Sequence, residues 1–211
     1  METGAERIAG MSCCEWKNAN EALRIYHDQE WGIPVHNDVV MFEHLSLECL
    51  QCGLSWELML RKRSIFRECF DGFDFESIAG YTEEDIERIL NTEGMIRSRR
   101  KIEAVISNAQ HYIAVRGEFG TFCGYIWEFA EGRTILYKGH GTGKLPVSNG
   151  LSRIISSDLK KRGFRYVGPV TIYSFLQACG IVNDHGCDCP CYARINAGNP
   201  TVRKRPDREV G

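Results

Sequence analysis

The stretch LSRIISSDLKKRGFRYVGPVTIYSFLQACG, residues 151–180, decides the fold class. Leu151, Ile154, Ile155 and Leu159 recur at helical spacing and make one amphipathic helix, which must stop at Gly163, a residue that tolerates the left-handed backbone of a helix end. A second helix begins almost at once. Pro169 suits its first position after Gly168, Ile172, Leu176 and Cys179 mark its buried side, and Gly180 closes it. Two helices joined by a short glycine-bounded turn form a helix-hairpin-helix, whose turn can present backbone N–H groups to a phosphate without intervening side chains. An ordinary packed helical hairpin carries the same pattern.

Working outward, the same periodicity recurs and no alternating strand of useful length interrupts it, so the fold class is all-α. From Ser98 to Ile113, the residues Ile102, Val105, Ile106, Ala109, Tyr112 and Ile113 fall on one face behind a serine N-cap. Thr82 with Asp85 resembles a capping box, followed by Ile86, Ile89 and Leu90, and Gly94 ends that segment. A helix from about Asn37 to Cys52 carries Phe42, Leu45, Cys49 and Leu50. After the turn Gly53-Leu54, Ser55 can cap the next helix, which runs towards Phe70. A short helix around 122–129 precedes a glycine-rich loop, 139–143, whose spacing is not that of a phosphate loop.

The 211 residues, 43% hydrophobic and 26% charged, suit a single domain at 13–192, of two helical lobes, between flexible segments at 1–12 and 193–211. A formal charge of −2 does not advertise a polyanion partner, although basic residues cluster at Arg61 to Arg63, Arg97 to Lys101 and Lys160 to Arg165. With no apolar run long enough to span a membrane and no leader pattern, a cytoplasmic monomer is expected. Ten cysteines in such a chain read as buried thiols or metal ligands rather than disulfides.

Three constellations carry chemistry. Cys14 and His27 near one end, with His185 and Cys189 near the other, supply two thiolates and two imidazoles, the donor set of a closed, structural tetrahedral zinc site. Cys13, Cys187 and Cys191 could substitute, and scattered thiols with core histidines fit the same spacing. Trp16, Tyr26, Trp31 and Trp56 lie within the first 56 residues. Such aromatics usually pack a core, yet together they could form the flat, electron-rich wall that a flipped, cationic base needs. Glu48 shares a helical stripe with Met41, Leu45 and Cys52. It either reaches solvent at the stripe's edge or points inward as a carboxylate that accepts hydrogen bonds and offsets a base's positive charge.

The motifs YHDQEWG at 26–32, GLSW at 53–56, KRGF at 161–164 and NDH at 183–185 make the chain resemble the DNA-3-methyladenine glycosylase I family, from about Cys14 to Cys189. The resemblance implies the all-α helix-hairpin-helix DNA glycosylase fold, with Cys14, His27, His185 and Cys189 as ligands of a structural zinc ion joining the N- and C-terminal segments. It implies Glu48 and Tyr26 as polar contacts to the excised base, with Trp16, Trp31 and Trp56 as aromatic walls. Gly53 and Leu54 then fill the gap left in the duplex, while Lys161, Arg162, Gly163 and Gly168 hold the DNA backbone. The implied substrate is double-stranded DNA containing alkylated adenine.

Two departures stand out: Leu23 where many relatives have tyrosine, and Cys13 where arginine is common. Many glycosylases of this fold use an aspartate just beyond the hairpin, but Asn183 stands in that neighbourhood here and Asp184 adjoins a metal ligand. A 3-alkylated adenine is already cationic and leaves as a neutral base, so extrusion, stacking and charge stabilisation can suffice without a strong general base. No lysine nucleophile implies hydrolysis without strand cleavage. The rivals are a DNA-lesion binding protein that has lost turnover, and a purely structural zinc-tied interaction module.

Overall fold

A computed structural model describes residues 14–140 and 145–205. The chain is mostly helical. After a 3-10 turn at Glu15–Ala19 come α1 (Glu21–Gln29), α2 (Asp38–Gln51), α3 (Trp56–Cys69), α4 (Phe75–Ala79), α5 (Glu83–Asn91), α6 (Arg99–Phe119) and α7 (Phe122–Glu128). Strand β1 (Thr134–Tyr137) follows, then α8 (Gly150–Lys161), α9 (Pro169–Ala178), α10 (Pro190–Gly198) and β2 (Thr201–Lys204).

The helix starts are set by side chains that accept from otherwise orphaned amides. Asn20 accepts from Leu23 N–H, Asn37 from the amides of Val39 and Val40, Ser55 from Leu58 N–H, and Asn149 from Ser152 N–H. At α5, Asp85 accepts from Thr82 N–H at 2.9 Å, as the capping-box pattern requires. Ser98 does precede α6, but its hydroxyl makes no capping bond.

Helix α2 is the axis of the molecule. Every residue from Met41 to Leu50 is buried, so the helix is enclosed on all sides, and its apolar residues join one core with α6, α7, α8 and α9. Four polar side chains, Glu43, His44, Ser46 and Glu48, are buried along it. Its C-terminal carbonyls at Leu50 and Cys52 accept from Lys101 Nζ at 2.7 and 2.6 Å, which fixes the start of the Gly53-Leu54 turn.

The α8–α9 pair forms as the sequence predicts. Gly163, with φ +96°, donates to Lys160 O, and Phe164 N–H reaches back to Leu159 O, the paired hydrogen bonds of a Schellman ending. Pro169 is the first residue of α9. Phe164 and Val167 plug the turn into the core, whereas Arg165 and Tyr166 face outward. Ile154, read as part of the buried face, is 60% exposed.

The expectation of a strand-free chain needs one correction: β1 and β2 pair in parallel, Thr134 opposite Thr201 and Tyr137 opposite Lys204. Val182 bridges the other side of Ile135. All four β1 residues are buried, so no polar alternation marks the strand in the sequence, and its partner lies more than sixty residues away. Residues 193–204, expected as part of a flexible tail, complete α10 and form β2. Residues 1–12, Cys13 and Gly141 to Gly143 lie outside the described residues.

Candidate functional site

The fold brings the two ends of the chain together. Cys14 precedes the 3-10 turn, His27 lies in α1, His185 follows α9, and Cys189 caps α10. Their ligand atoms all lie within 4.8 Å of one another, and all four residues are buried. His185 Nδ1 is 3.2 Å from His27 Nε2 and 3.7 Å from both Cys14 Sγ and Cys189 Sγ, while Cys189 Sγ is 3.8 Å from His27 Nε2. A tetrahedral ion with ordinary metal–sulfur and metal–nitrogen bonds needs edges of about 3.3–3.8 Å.

The outer nitrogens fit as well: His27 Nδ1 is 2.8 Å from Asp28 Oδ1, and His185 Nε2 is 3.0 Å from Trp31 O. Each ring therefore turns its other nitrogen inward, with the orientation that metal-binding histidines require. This buried group could hold a metal ion. Of the other candidate cysteines, Cys191 groups with His27 and the partly exposed Asp28, and Cys187 is exposed.

The aromatic cluster is built against this Cys/His group. Trp16 meets Trp31 edge-on at 5.3 Å between centroids and His27 at 5.3 Å, and Trp31 packs edge-on against His185 at 4.5 Å. Tyr26 links Trp16, at 6.2 Å, to Trp56, at 5.2 Å. The four rings predicted as a group are thus contiguous. Trp31 and Tyr26 are buried, while Trp16 and Trp56 are partly exposed. The Trp56 indole nitrogen is buried without a hydrogen-bond partner among the described residues. A donor in that condition is costly unless a ligand or water completes it.

Glu48 is 5% exposed and points inward rather than to solvent. Burial, followed by the negative charges of Glu48 and Glu30, pushes the Tyr26 phenol well above its ordinary pKa, so Tyr26 stays protonated and available as a donor. Leu23 is buried on the preceding turn of α1.

Charged residues that the sequence alone does not pair lock these helices together. Arg63 on α3 binds Glu30 at 2.6 and 2.8 Å and Glu43 on α2 at 2.7 Å, and Arg67 adds bonds to Glu43 at 2.8 and 3.0 Å. Burial alone would raise the Glu43 pKa, but the hydrogen bonds from Arg67 and Arg63 outweigh it and hold the carboxyl below its usual value. Two of the basic clusters thus contain structural cations, Arg63 in one and, in the other, Arg99, which pairs with Glu83 and Glu87.

The predicted DNA-facing residues separate into two kinds. Gly53, with φ +81°, is exposed, Leu54 is partly buried against the core, and Lys161 is exposed at the end of α8. Arg162 is not free: its guanidinium binds Asp158 at 2.8 Å and Glu118 at 2.6 Å and lies over the rings of Phe119 and Tyr125. In the turn itself, Asn108 takes both the N–H and the carbonyl of Arg165. The N–H groups of Tyr166, Val167 and Gly168 make no hydrogen bond among the described residues.

Asp184 is 1% exposed and accepts from Tyr173 and from Gln177, with His140 Nδ1 at 2.8 Å. Asn183 accepts from His185 N–H and donates to Asn196. Both side chains are committed to internal partners.

Comparison with known proteins agrees with the motif resemblance. A family model described as methyladenine glycosylase matches residues 16–192. A DNA-3-methyladenine glycosylase 1 of Escherichia coli K12 is 40% identical over 182 residues, covering 86% of this chain and 97% of the relative. A crystal structure of a 3-methyladenine DNA glycosylase I superposes with a TM-score of 0.80 at 42% identity, over 84% of this chain and 98% of the other. A Staphylococcus aureus 3-methyladenine DNA glycosylase I, whose structure addresses 3-methyladenine recognition, gives 0.79 at 32% identity, over 84% and 94%. The chain belongs to the methyladenine glycosylase family.

Proposed function

We propose that this protein excises 3-methyladenine from alkylated double-stranded DNA by hydrolysing the N-glycosidic bond, leaving an abasic site without cutting the strand. The observation that carries the reading is the contiguous group of Trp16, Tyr26, Trp31 and Trp56, with a Tyr26 phenol that stays protonated and a buried Glu48 whose charge helps to raise the Tyr26 pKa. A flipped 3-methyladenine is a flat cation. The tryptophan faces attract it, Glu48 accepts from its amino edge and offsets its charge, and Tyr26 donates.

Because the base leaves neutral, the residues need only hold it out of the stack in a low-dielectric site while water attacks the sugar. Asp184 is no candidate for the base that activates this water, since its oxygens are occupied by Tyr173, Gln177 and His140.

On the DNA side, the N–H groups of residues 166–168 and the exposed Lys161 suit one strand's phosphates, in the manner of a helix-hairpin-helix. Arg162 is better placed to hold the end of α8 than to touch DNA. Gly53 and Leu54 fill the vacated space. Cys14, His27, His185 and Cys189 would hold a zinc ion, which supplies a closed four-ligand cross-link with no open position for chemistry.

The test is release of free 3-methyladenine from methylated duplex DNA. Free base accumulating with enzyme and time is the expected result. A protein that binds methylated DNA and releases none would be a lesion-binding protein instead.

A further inference from the structure

Among the described residues, the least explained feature is a cleft of about 420 Å³ on the side of the two-stranded sheet, beside the loop that follows Asn183. Its charged lining is all of one sign. Lys138 comes from the end of β1, and Arg203, Lys204 and Arg205 come from β2 and the residue after it, while no aspartate or glutamate lines the cleft. None of these four side chains makes an ion pair among the described residues, whereas most of the arginines described above are paired. Lys138, Arg203 and Arg205 are exposed. Tyr137 and Tyr192 supply apolar wall.

The backbone holds the cations together rather than leaving them on a loose end. Lys138 N–H donates to Lys204 O at 2.9 Å, continuing the parallel ladder in which Tyr137 lies opposite Lys204. Three of the four cations lie beyond residue 192, where the family match stops, whereas the other seven lining residues lie inside it. Four like charges gathered without counter-charge repel one another, and an anion in the cleft relieves that cost. A volume of this size accepts one or two phosphate groups with their substituents.

The geometry points to a second phosphate-binding site in this cleft, separate from the base pocket and from the α8–α9 turn, which holds phosphate groups through Lys138, Arg203, Lys204 and Arg205. The phosphates are those of the DNA strand away from the lesion or those of a free phosphate compound. The first source rests on the DNA-repair reading above, and the second does not.

The experiment compares the full chain with the triple variant Arg203→Gln, Lys204→Gln, Arg205→Gln. Affinity for an undamaged 30-base-pair duplex is measured by fluorescence anisotropy across a salt series, and binding of inorganic pyrophosphate by calorimetry. If DNA occupies the cleft, the slope of log affinity against log salt becomes shallower by about 2–3, at ~0.9 for each phosphate that is no longer neutralised. If a free phosphate compound occupies it, pyrophosphate binds the wild type and binds the variant at least tenfold more weakly, with the DNA slope unchanged. Either result supports the site. An unchanged slope together with no pyrophosphate binding overturns it.

A wild type that binds no DNA would count against the glycosylase reading, and the pyrophosphate arm would still report on the cleft. Should the triple variant lose its circular dichroism signature, the single exposed substitution Lys138→Gln gives the same readouts, with a slope change of about 1. Base release at saturating DNA is unchanged in all these variants.

Discussion

At the scale of single residues, burial sets the state of the groups that the proposed mechanism uses. It is the first cause of the raised Tyr26 pKa, ahead of the charge of Glu48, itself 5% exposed, so the phenol keeps its proton near neutral pH. Glu48→Gln keeps shape and removes charge. Excision of 3-methyladenine by that variant is expected to fall about 10- to 100-fold, the worth of a hydrogen bond to a charged group. Single-turnover kinetics on methylated DNA would read it, and wild-type rates would remove Glu48 from the proposed mechanism. Asp184 and Arg162 teach the opposite lesson: residues that look available in the sequence are tied to partners 4 to 44 positions away.

At the scale of elements, α2 carries a liability with a measurable signature. His44 is 1% exposed, and its Nδ1 has no hydrogen-bond partner among the described residues. Burial lowers its pKa from 6.5 to about 4, with Glu30 and Glu43 opposing and Arg63 and Arg67 reinforcing that shift. The folded pKa therefore lies below the unfolded one. Between pH 6.5 and 4 the unfolded chain holds a proton that the folded chain refuses, so stability from this source is complete above about pH 6.5 and declines as pH falls. The total is about 3 kcal/mol by pH 4. His44→Leu should flatten the fall in Tm across that interval, and an equally steep fall in the variant would assign the acid sensitivity elsewhere.

The end of α9 is equally exacting. A Cβ at Gly180, which has φ +68°, would lie 2.5 Å from backbone atoms of Ile33 and Pro34, whereas one at Gly120, with φ +84°, meets nothing. Gly180→Ala is expected to cost about 3 kcal/mol, from left-handed strain plus overpacking, and Gly120→Ala about 1–2 kcal/mol. Thermal melts of the two variants check the order, and equal losses would mean that the approach of residues 32–34 to α9 is not tight.

At the scale of the whole molecule, the buried group of Cys14, His27, His185 and Cys189, which could hold a metal ion, joins the first described turn, α1, and the α9–α10 connection at one point. Because Trp16 and Trp31 rest directly on His27 and His185, a metal ion held by the group would also brace the aromatic cluster. Purified protein is expected to carry about one zinc ion per chain by elemental analysis. Stripping it with a strong chelator should lower Tm by on the order of 10 °C and weaken binding of the base. A metal-free protein with an unchanged melt would show that packing alone holds the ends together.

The sequence by itself determined the helical architecture, the glycine-bounded turn between α8 and α9, the terminal cysteines and histidines from which the family resemblance selects four, and the aromatic group. Each of these rests on local periodicity, on glycine and proline chemistry, or on residue types rare enough to stand out. Only the tertiary structure decided that Glu48 points inward, that Arg162, Asp184 and the Arg63 cluster are engaged with internal partners, and that residues beyond 192 add a strand to β1. Most of these are pairings across long stretches of chain, and the energy that selects them comes from burial and charge neutralisation. No local pattern records which distant residue completes such a pair. Residue types could therefore suggest the chemistry of the site, but only packing could say which side chains are engaged with internal partners.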